Sequence, residues 1–242
     1  MLVSVSLFRL RSAASGNQVA GLAAAGSHAA LGYEAMFSPD QLAAEQSYRT
    51  VYVPALRRLP GLERYLVGRV FTWEGRPTEF SHIAVMFWRD RAAWEGATAP
   101  GVSERLGVPP VAEWVESLMV YTGDLDAVPP VEPSPAKGVL ALWLLRLRPT
   151  EHPGENERYY RDVFAPFERQ FPGIRAYLTG PIVTLRSAPL AYDHLTLMEY
   201  ESWSALQPSG VPDRPPAWIR PMNEWCQIYE SYSAEFEEVL WE

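Results

Sequence analysis

Cysteine is almost missing from this chain. Cys226 stands alone among 242 residues, which excludes an intrachain disulfide and any metal cluster built on several thiolates. Such usage fits a reducing compartment, so a cytoplasmic protein is expected. Long apolar runs are also missing, since no stretch approaches the ~20 residues that a membrane span requires. Lys and Arg number 21 against 29 Asp and Glu, for a net charge of −8. That balance is a poor match for a phosphate backbone, and nucleic acid is not an expected partner. The sequence has no Gly-rich phosphate loop and no nucleophile elbow, so no phosphate-bearing cofactor is expected. Histidine is scarce, with four in all.

Apolar residues make up 48% of the chain, enough to bury a substantial core. Nine Trp, twelve Tyr and nine Phe are a heavy aromatic load. Core packing accounts for most of them, while stacked aromatic walls also suit planar or unsaturated ligands. Residues 2 to 10 are largely apolar, but no basic segment precedes them and Arg9 and Arg11 follow. They therefore read as a strand, not as a secretory signal. Residues 12 to 36, rich in Ala, Gly and Ser, read as an insertion, either a lid or an irregular surface loop.

The organisation emerges from an internal repeat. YRTVYVPALRRLPGLERYLVG, from Tyr48, overlays YRDVFAPFERQFPGIRAYLTG, from Tyr160, without a gap at an offset of 112 residues. The same offset carries FSHIAVMFW onto YDHLTLMEY, placing His82 on His194 and Met86 on Met198. Pro110, Glu113, Trp114 and Tyr121 fall on Pro221, Glu224, Trp225 and Tyr232 at an offset of 111. Each half reads as strand, helix, two strands, short helix and strand. Helices are expected over 39 to 59, with Ser38 as N-cap, and over 155 to 171, each stopped by a Pro-Gly pair. Residues 234 to 241 read as a short C-terminal tail, with a helix as one form it could take. The expected fold class is α+β, two ferredoxin-like βαββαβ repeats packed as an intramolecular dimeric α/β barrel. The first repeat spans residues 1–127 and the second 138–242. A Pro-rich linker, 128–137, joins them.

Strand alternation assigns faces. Ile83, Val85, Phe87, Leu195 and Leu197 are expected beneath the helices. The opposite parity, which includes His82, Met86, Trp88, His194, Met198 and Tyr200, is expected to line a lumen between the two sheets together with Tyr65 and Tyr177.

The helix, its Pro-Gly stop and the following strand resemble the EthD-type members of the dimeric α/β barrel superfamily. The resemblance spans both halves apart from insertion and linker, and rests most on about forty residues. It implies relatives among cofactor-free monooxygenases, polyketide cyclases, lactone isomerases and haem proteins. Many EthD-like sequences carry a His two residues before the helical proline. Here Tyr52 and Phe164 precede Pro54 and Pro166, which places any activity needing that imidazole in doubt.

His82 and His194 are the candidate general acids or bases, because imidazole titrates near neutrality. The alternative for each is a hydrogen bond to a neighbouring carbonyl. Tyr52 is a candidate proton donor, or an aromatic packing the helix on its sheet. Tyr65, Met86, Trp88, Trp114, Trp143, Tyr177, Met198, Tyr200 and Trp225 are the candidate substrate-binding residues. Cys226, beside Trp225, reads as a small buried residue. No metal site is expected. Three functions follow: a cofactor-independent cyclase, isomerase or monooxygenase acting on a hydrophobic aromatic or polyketide-like metabolite in the lumen; a non-catalytic binding protein; or a haem protein with His194 as axial ligand. The fused unit is expected as a monomer or homodimer, without a membrane partner.

Overall fold

The computed structural model describes residues 1–11, 39–71, 79–130, 132, 136–183, 191–206 and 215–239. The insertion, Ser38 and residues 131 and 133–135 of the Pro-rich linker lie outside them. In the first half of the chain, β1 (Leu2–Leu10) is followed by α1 (Pro39–Ser47), a π-helical turn (Tyr48–Tyr52), α2 (Val53–Leu56), β2 (Leu62–Phe71) and β3 (His82–Trp88). Then come α3 (Arg91–Thr98), α4 (Val102–Arg105), β4 (Val115–Asp124) and the two-residue β5 (Asp126–Ala127). The second half runs β6 (Lys137–Leu147), α5 (Glu155–Tyr159), a π-helical turn (Tyr160–Phe164), α6 (Ala165–Glu168), β7 (Ile174–Val183) and β8 (His194–Tyr200). It ends with α7 (Trp203–Leu206), α8 (Met222–Trp225) and β9 (Cys226–Glu238). Among the described residues no helix is long and apolar enough to cross a membrane.

Both long helical segments carry the same irregularity at the 112-residue offset, and proline explains it. Pro54 and Pro166 have no N–H to return to the carbonyl four residues earlier. The helix accommodates each proline by widening for one turn, with Val53 N–H bonding Tyr48 O and Ala165 N–H bonding Tyr160 O, five residues back. After each segment, Gly61 and Gly173 reverse the chain at φ of +77° and +84°, a region that a Cβ disfavours.

All strands belong to one antiparallel sheet in the order β4-β1-β3-β2-β9-β6-β8-β7-β5, and β4 also pairs with β7 through Thr122↔Val183 and Gly123↔Ile182. Pairing therefore passes from the first half to the second at β2·β9 and back at β7·β4. Both crossings require close backbone approach. A Cβ on Gly68 would run into the Glu235 carbonyl, and one on Gly180 into that of Asp124. The expected C-terminal tail is instead strand: β9 continues to Glu238, pairing Phe71↔Ser233 through Leu66↔Glu238 along the edge of β2. Ala234 and Phe236 are buried while Glu235 and Glu237 are exposed, which is a strand's period of two.

The two faces of the sheet are reversed relative to expectation. Val3, Val5, Leu7, Ile83, Val85 and Phe87 share one core with Leu140, Leu142, Leu144, Leu195 and Leu197, and no helical residue belongs to it. Ala84 and Trp88 pack with Tyr48, Tyr52, Val53 and Leu56 of the helical layer, as Met198 and Tyr200 pack with Ala165. The inward space is thus filled mainly by aliphatic side chains, with Phe80, Phe87, Phe236, Tyr121 and Tyr192 among them, and the parity that carries His82 and His194 lies under the helices. The physical reason is surface matching. Two facing sheets are sealed best by the purely apolar parity, whereas Tyr, Trp and His need polar partners at their tips, which helices and loops supply.

One ion cluster joins the halves inside this core. Arg64 of β2 holds Glu199 of β8 at 2.8 and 3.3 Å and Glu238 of β9 at 3.0 Å, and its guanidinium lies 4.9 Å over the Phe87 ring. Glu199 has no exposed surface. Replacing Arg64 with Met leaves that carboxylate buried without its partner, so we expect a loss of about 3 kcal/mol in denaturant unfolding. The double variant Arg64→Met, Glu199→Leu is expected to recover most of it.

Candidate functional site

Because the helix-facing parity carries the polar aromatics, each half of the chain has a layer of Tyr, His and carboxylate groups between helix and sheet. In the first half, Tyr48 and Tyr65 share a hydrogen bond of 2.7 Å, and Tyr52 stacks on Tyr48 with ring centroids 5.0 Å apart. Burial raises the Tyr52 hydroxyl to about 12, so it is a hydrogen-bonding phenol and a poor proton donor at neutral pH. In the second half, Tyr160 stands at the offset position of Tyr48 and Phe164 at that of Tyr52, again stacked, at 5.8 Å.

The two histidines occupy matched places with different partners. His82 Nδ1 lies 2.8 Å from Ser81 Oγ, and its Nε2 faces Glu45 Oε2 at 3.5 Å. Glu45 is 4% exposed and also accepts from Arg49 at 2.9 Å and Arg69 at 2.6 Å. Arg49 reaches on to Glu237 at 3.3 Å. Burial would raise the Glu45 carboxyl, but His82, Arg69 and Arg49 outweigh it and hold the group at about 2. Burial lowers the His82 pKa against the pull of Glu45. The site around His82 is closed by this ion cluster.

At the equivalent place in the second half, Asp193 replaces Ser81 and Pro181 replaces Arg69. Asp193 Oδ1 lies 3.0 Å from His194 Nδ1 and also accepts the Leu147 N–H at 3.1 Å. A carboxylate there requires the proton on Nδ1, which leaves the Nε2 lone pair free. Nε2 is buried, with no hydrogen-bond partner among the described residues. A cavity of about 50 Å³ lies beside it, lined by Asp126, Glu157, Tyr160, Arg161, Thr179, Gly180, Pro181 and His194. With no guanidinium available at position 181, the space that Arg69 fills in the first half stays open. An oriented imidazole with a free lone pair in a small polar pocket can take a proton from a bound molecule.

A larger cavity, about 240 Å³, lies in the first half among Arg11, Asp40, Ala43, Ala44, Ser47, Glu113 and Trp114. At the matched place in the second half, Trp225 is fully buried 4.6 Å from Phe164 and 5.3 Å from Tyr160.

The sequence-predicted residues are therefore not brought together in one lumen. His82 and His194 lie on the outer faces of different halves, with the aliphatic core between them. Tyr52 sits 6.2 Å from Trp114 and does not line the cavity beside His194. Tyr65, Trp88, Tyr177, Met198, Tyr200 and Trp225 are buried and pack the helical layers, while Met86, Trp114 and Trp143 are half-buried there. Trp114 alone of the nine candidate substrate-binding residues lines a described cavity, and that cavity is not the one beside His194. Cys226 is buried, and burial pushes its thiol up. The space beside His194, about 50 Å³, is far below the ~300 Å³ or more of pockets that enclose a whole ligand, so it admits only one end of a molecule, and His82 Nε2 faces a carboxylate. Neither residue has a setting that fits haem. Among the described residues no cluster of His, Cys, Asp and Glu is arranged to hold a metal ion.

Sequence reasoning placed Thr179 and Thr196 on the His-bearing parity but missed Asp193 and Glu168. The signal for Asp193 is legible in the aligned segments, where SH becomes DH. Glu168 has none, standing where the first half has Leu56. Glu168 is 7% exposed, and burial pushes its carboxyl up to about 8 against the hydrogen bond donated by Tyr177. The two buried carboxyls therefore act on stability with opposite sign. Glu168 favours the fold when protonated, so its contribution falls as pH rises from about 4.5 to 8. Glu45 contributes fully above pH 4.5, and that contribution is lost as pH falls toward 2. In thermal melts from pH 5 to 8, Glu168→Gln is expected to flatten a loss on the order of 4 kcal/mol. Glu45→Gln is expected to change only the acid limb.

No family model matches this sequence, and no curated protein does. Solved structures do match in fold. An anthrone oxidase-like protein aligns at a TM-score of 0.58 and 13% identity over 99% of this chain and 91% of that one. A candidate monooxygenase from Fusobacterium nucleatum aligns at 0.58 and 10%, covering 98% and 93%. A candidate chlorite dismutase aligns at 0.54 and 10%, covering 97% and 93%. The chain shares a mixed α/β fold with monooxygenase-like and chlorite-dismutase-like proteins, at a remote distance.

Proposed function

We propose that this protein is a cofactor-independent enzyme of the proton-transfer kind, working as an isomerase, cyclase or monooxygenase on a hydrophobic, aromatic or polyketide-like metabolite. Its architecture is a duplicated ferredoxin-like unit, residues 1–127 and 138–242, closed as an intramolecular α/β barrel. The strand pairing that leaves the first half at β2·β9 and returns at β7·β4 supports that architecture. So does the recurrence of the π-turn at an offset of 112 residues.

The observation that carries the chemistry is the Asp193–His194 pair with its buried, unpartnered Nε2. The reacting end of a substrate, a carbonyl and its neighbouring acidic C–H or O–H, enters the cavity beside His194 and gives its proton to Nε2. Asp193 holds the tautomer and stabilises the imidazolium that forms. The apolar remainder of the substrate lies over the outward parity of the adjoining strands, where Val120 and Leu118 are 52% and 42% exposed. The barrel interior takes no part, because aliphatic side chains fill it.

Two probes test the assignment. Phenylpyruvate reports enol–keto tautomerisation. Anthrone reports oxygenation: it loses two hydrogens and gains one oxygen atom from dioxygen, whose other atom leaves as water. Both begin with removal of a proton beside a carbonyl. The protein is expected to accelerate one of them over buffer, and His194→Phe to lose that acceleration by about 100-fold or more. Equal rates for the two proteins would remove His194 from the chemistry. Acceleration of neither probe would favour a binding protein.

A further inference from the structure

Behind the His194 cavity, five side chains form one unbroken hydrogen-bonded row. Tyr177 Oη and Glu168 Oε2 lie 2.8 Å apart, the phenol donating to the carboxylate and accepting from the protonated acid. Tyr177 and Tyr160 hydroxyls lie 3.3 Å apart, Tyr160 Oη and Thr196 Oγ1 share a short bond, and Thr196 and Thr179 Oγ1 atoms are 2.8 Å apart. Tyr160 and Thr179 line the cavity with His194, whereas Glu168 is buried at the end of α6. Every interior member is a hydroxyl, able to accept one hydrogen bond while donating another.

The first half shows what the fold needs at these positions. At the 112-residue offset stand Leu56, Tyr65, Tyr48, Ala84 and Val67. Only the tyrosine pair remains of the row, and the layer packs without a carboxyl or threonines. A buried carboxyl is costly where Leu suffices, so stability does not call for Glu168. The row occurs in the half where histidine has an aspartate and the cavity is open.

We propose that Glu168 is the proton store of the His194 cavity, linked to it by the hydroxyls of Tyr177, Tyr160, Thr196 and Thr179. Its use in catalysis rests on the enzymatic role proposed above; the path does not. When His194 has taken a proton from one atom of the substrate, the protonated Glu168 releases one into the row. Each hydroxyl passes its own proton on, and Thr179 delivers one to another atom of the substrate. Glu168 is left as carboxylate and His194 as imidazolium. His194 then loses its proton to water, and Glu168 regains one through the same hydroxyls in reverse. No electron changes hands, so the reaction class is a proton shift within one molecule, an isomerisation. The elevated carboxyl pKa, about 8, keeps the store loaded at neutral pH. Arg169, the next residue, directs its guanidinium to the Pro130, Ile174 and Arg175 carbonyls and does not neutralise it.

The path is tested on the protein without substrate. After a rapid change into D2O at pH 6, the infrared carboxyl band of Glu168, identified by its loss in Glu168→Gln, shifts as COOH becomes COOD. We expect fast exchange in the wild type and at least about tenfold slower exchange in Tyr160→Phe, which removes the hydroxyl linking Tyr177 to the cavity. Should Tyr160→Phe not fold, Tyr177→Phe is expected to slow the same exchange. Unchanged exchange in the phenylalanine variant, or wild-type exchange as slow as that of the core amides, would overturn the proposal. Inactivity toward both carbonyl probes, with exchange as expected, would instead overturn the enzymatic role and leave the path standing.

Discussion

The structure depends on one burial event, the meeting of two aliphatic sheet faces. Val3, Val5, Leu7, Ile83 and Val85 oppose Leu140, Leu142, Leu144, Leu195 and Leu197 with almost no exposed surface. Each such side chain removed from water contributes about 1.5–3 kcal/mol. The polar groups at its margin are Glu199, which Arg64 pairs, and the Tyr121 and Tyr192 hydroxyls. Once that face is committed to sealing the halves together, every Tyr, His and Trp of the opposite parity must lie under the helices. The location of all the chemistry follows from that single allocation.

The helical layers then diverge in a way that two separate but identical chains could not. In the first, Glu45 draws in Arg49, Arg69 and His82, and the space beside the imidazole is filled by ions. In the second, Pro181 cannot supply a guanidinium, Asp193 orients His194 from the opposite ring nitrogen, and Glu168 with two threonines replaces Leu56, Ala84 and Val67. One layer favours ionised carboxylate and the other the neutral acid, although the backbone plan is shared.

Much of the fold was legible in the sequence because the repeat fixes strand order without reference to side-chain facing. The segments from Tyr48 and Tyr160, the Pro-Gly stops and the third strands all fall where the alignment puts them. Facing was not legible, since alternation gives two parities and not which one meets the helices. The mixed parity of His82 to Trp88 looked like a pocket lining because it is amphipathic, but amphipathic tips are also what a helix–sheet layer can satisfy. His194 was identified by residue type alone. Its partner Asp193 was visible as a substitution for Ser81, but only geometry shows which ring nitrogen it holds. Glu168 was hidden inside a helix whose pattern gives no reason to place a carboxyl against the sheet.

The strand circuit is joined by unequal seams. β2 and β9 pair over six residues, Leu66 to Phe71, whereas β4 and β7 pair at two positions and β5 adds two more at Thr179 and Leu178. A ring held by a long weld and a short one yields at the short one. Thr179, Gly180 and Pro181 belong to that short weld and also form one wall of the histidine cavity. The circuit is therefore expected to give way most easily beside that cavity, while the far side stays clamped.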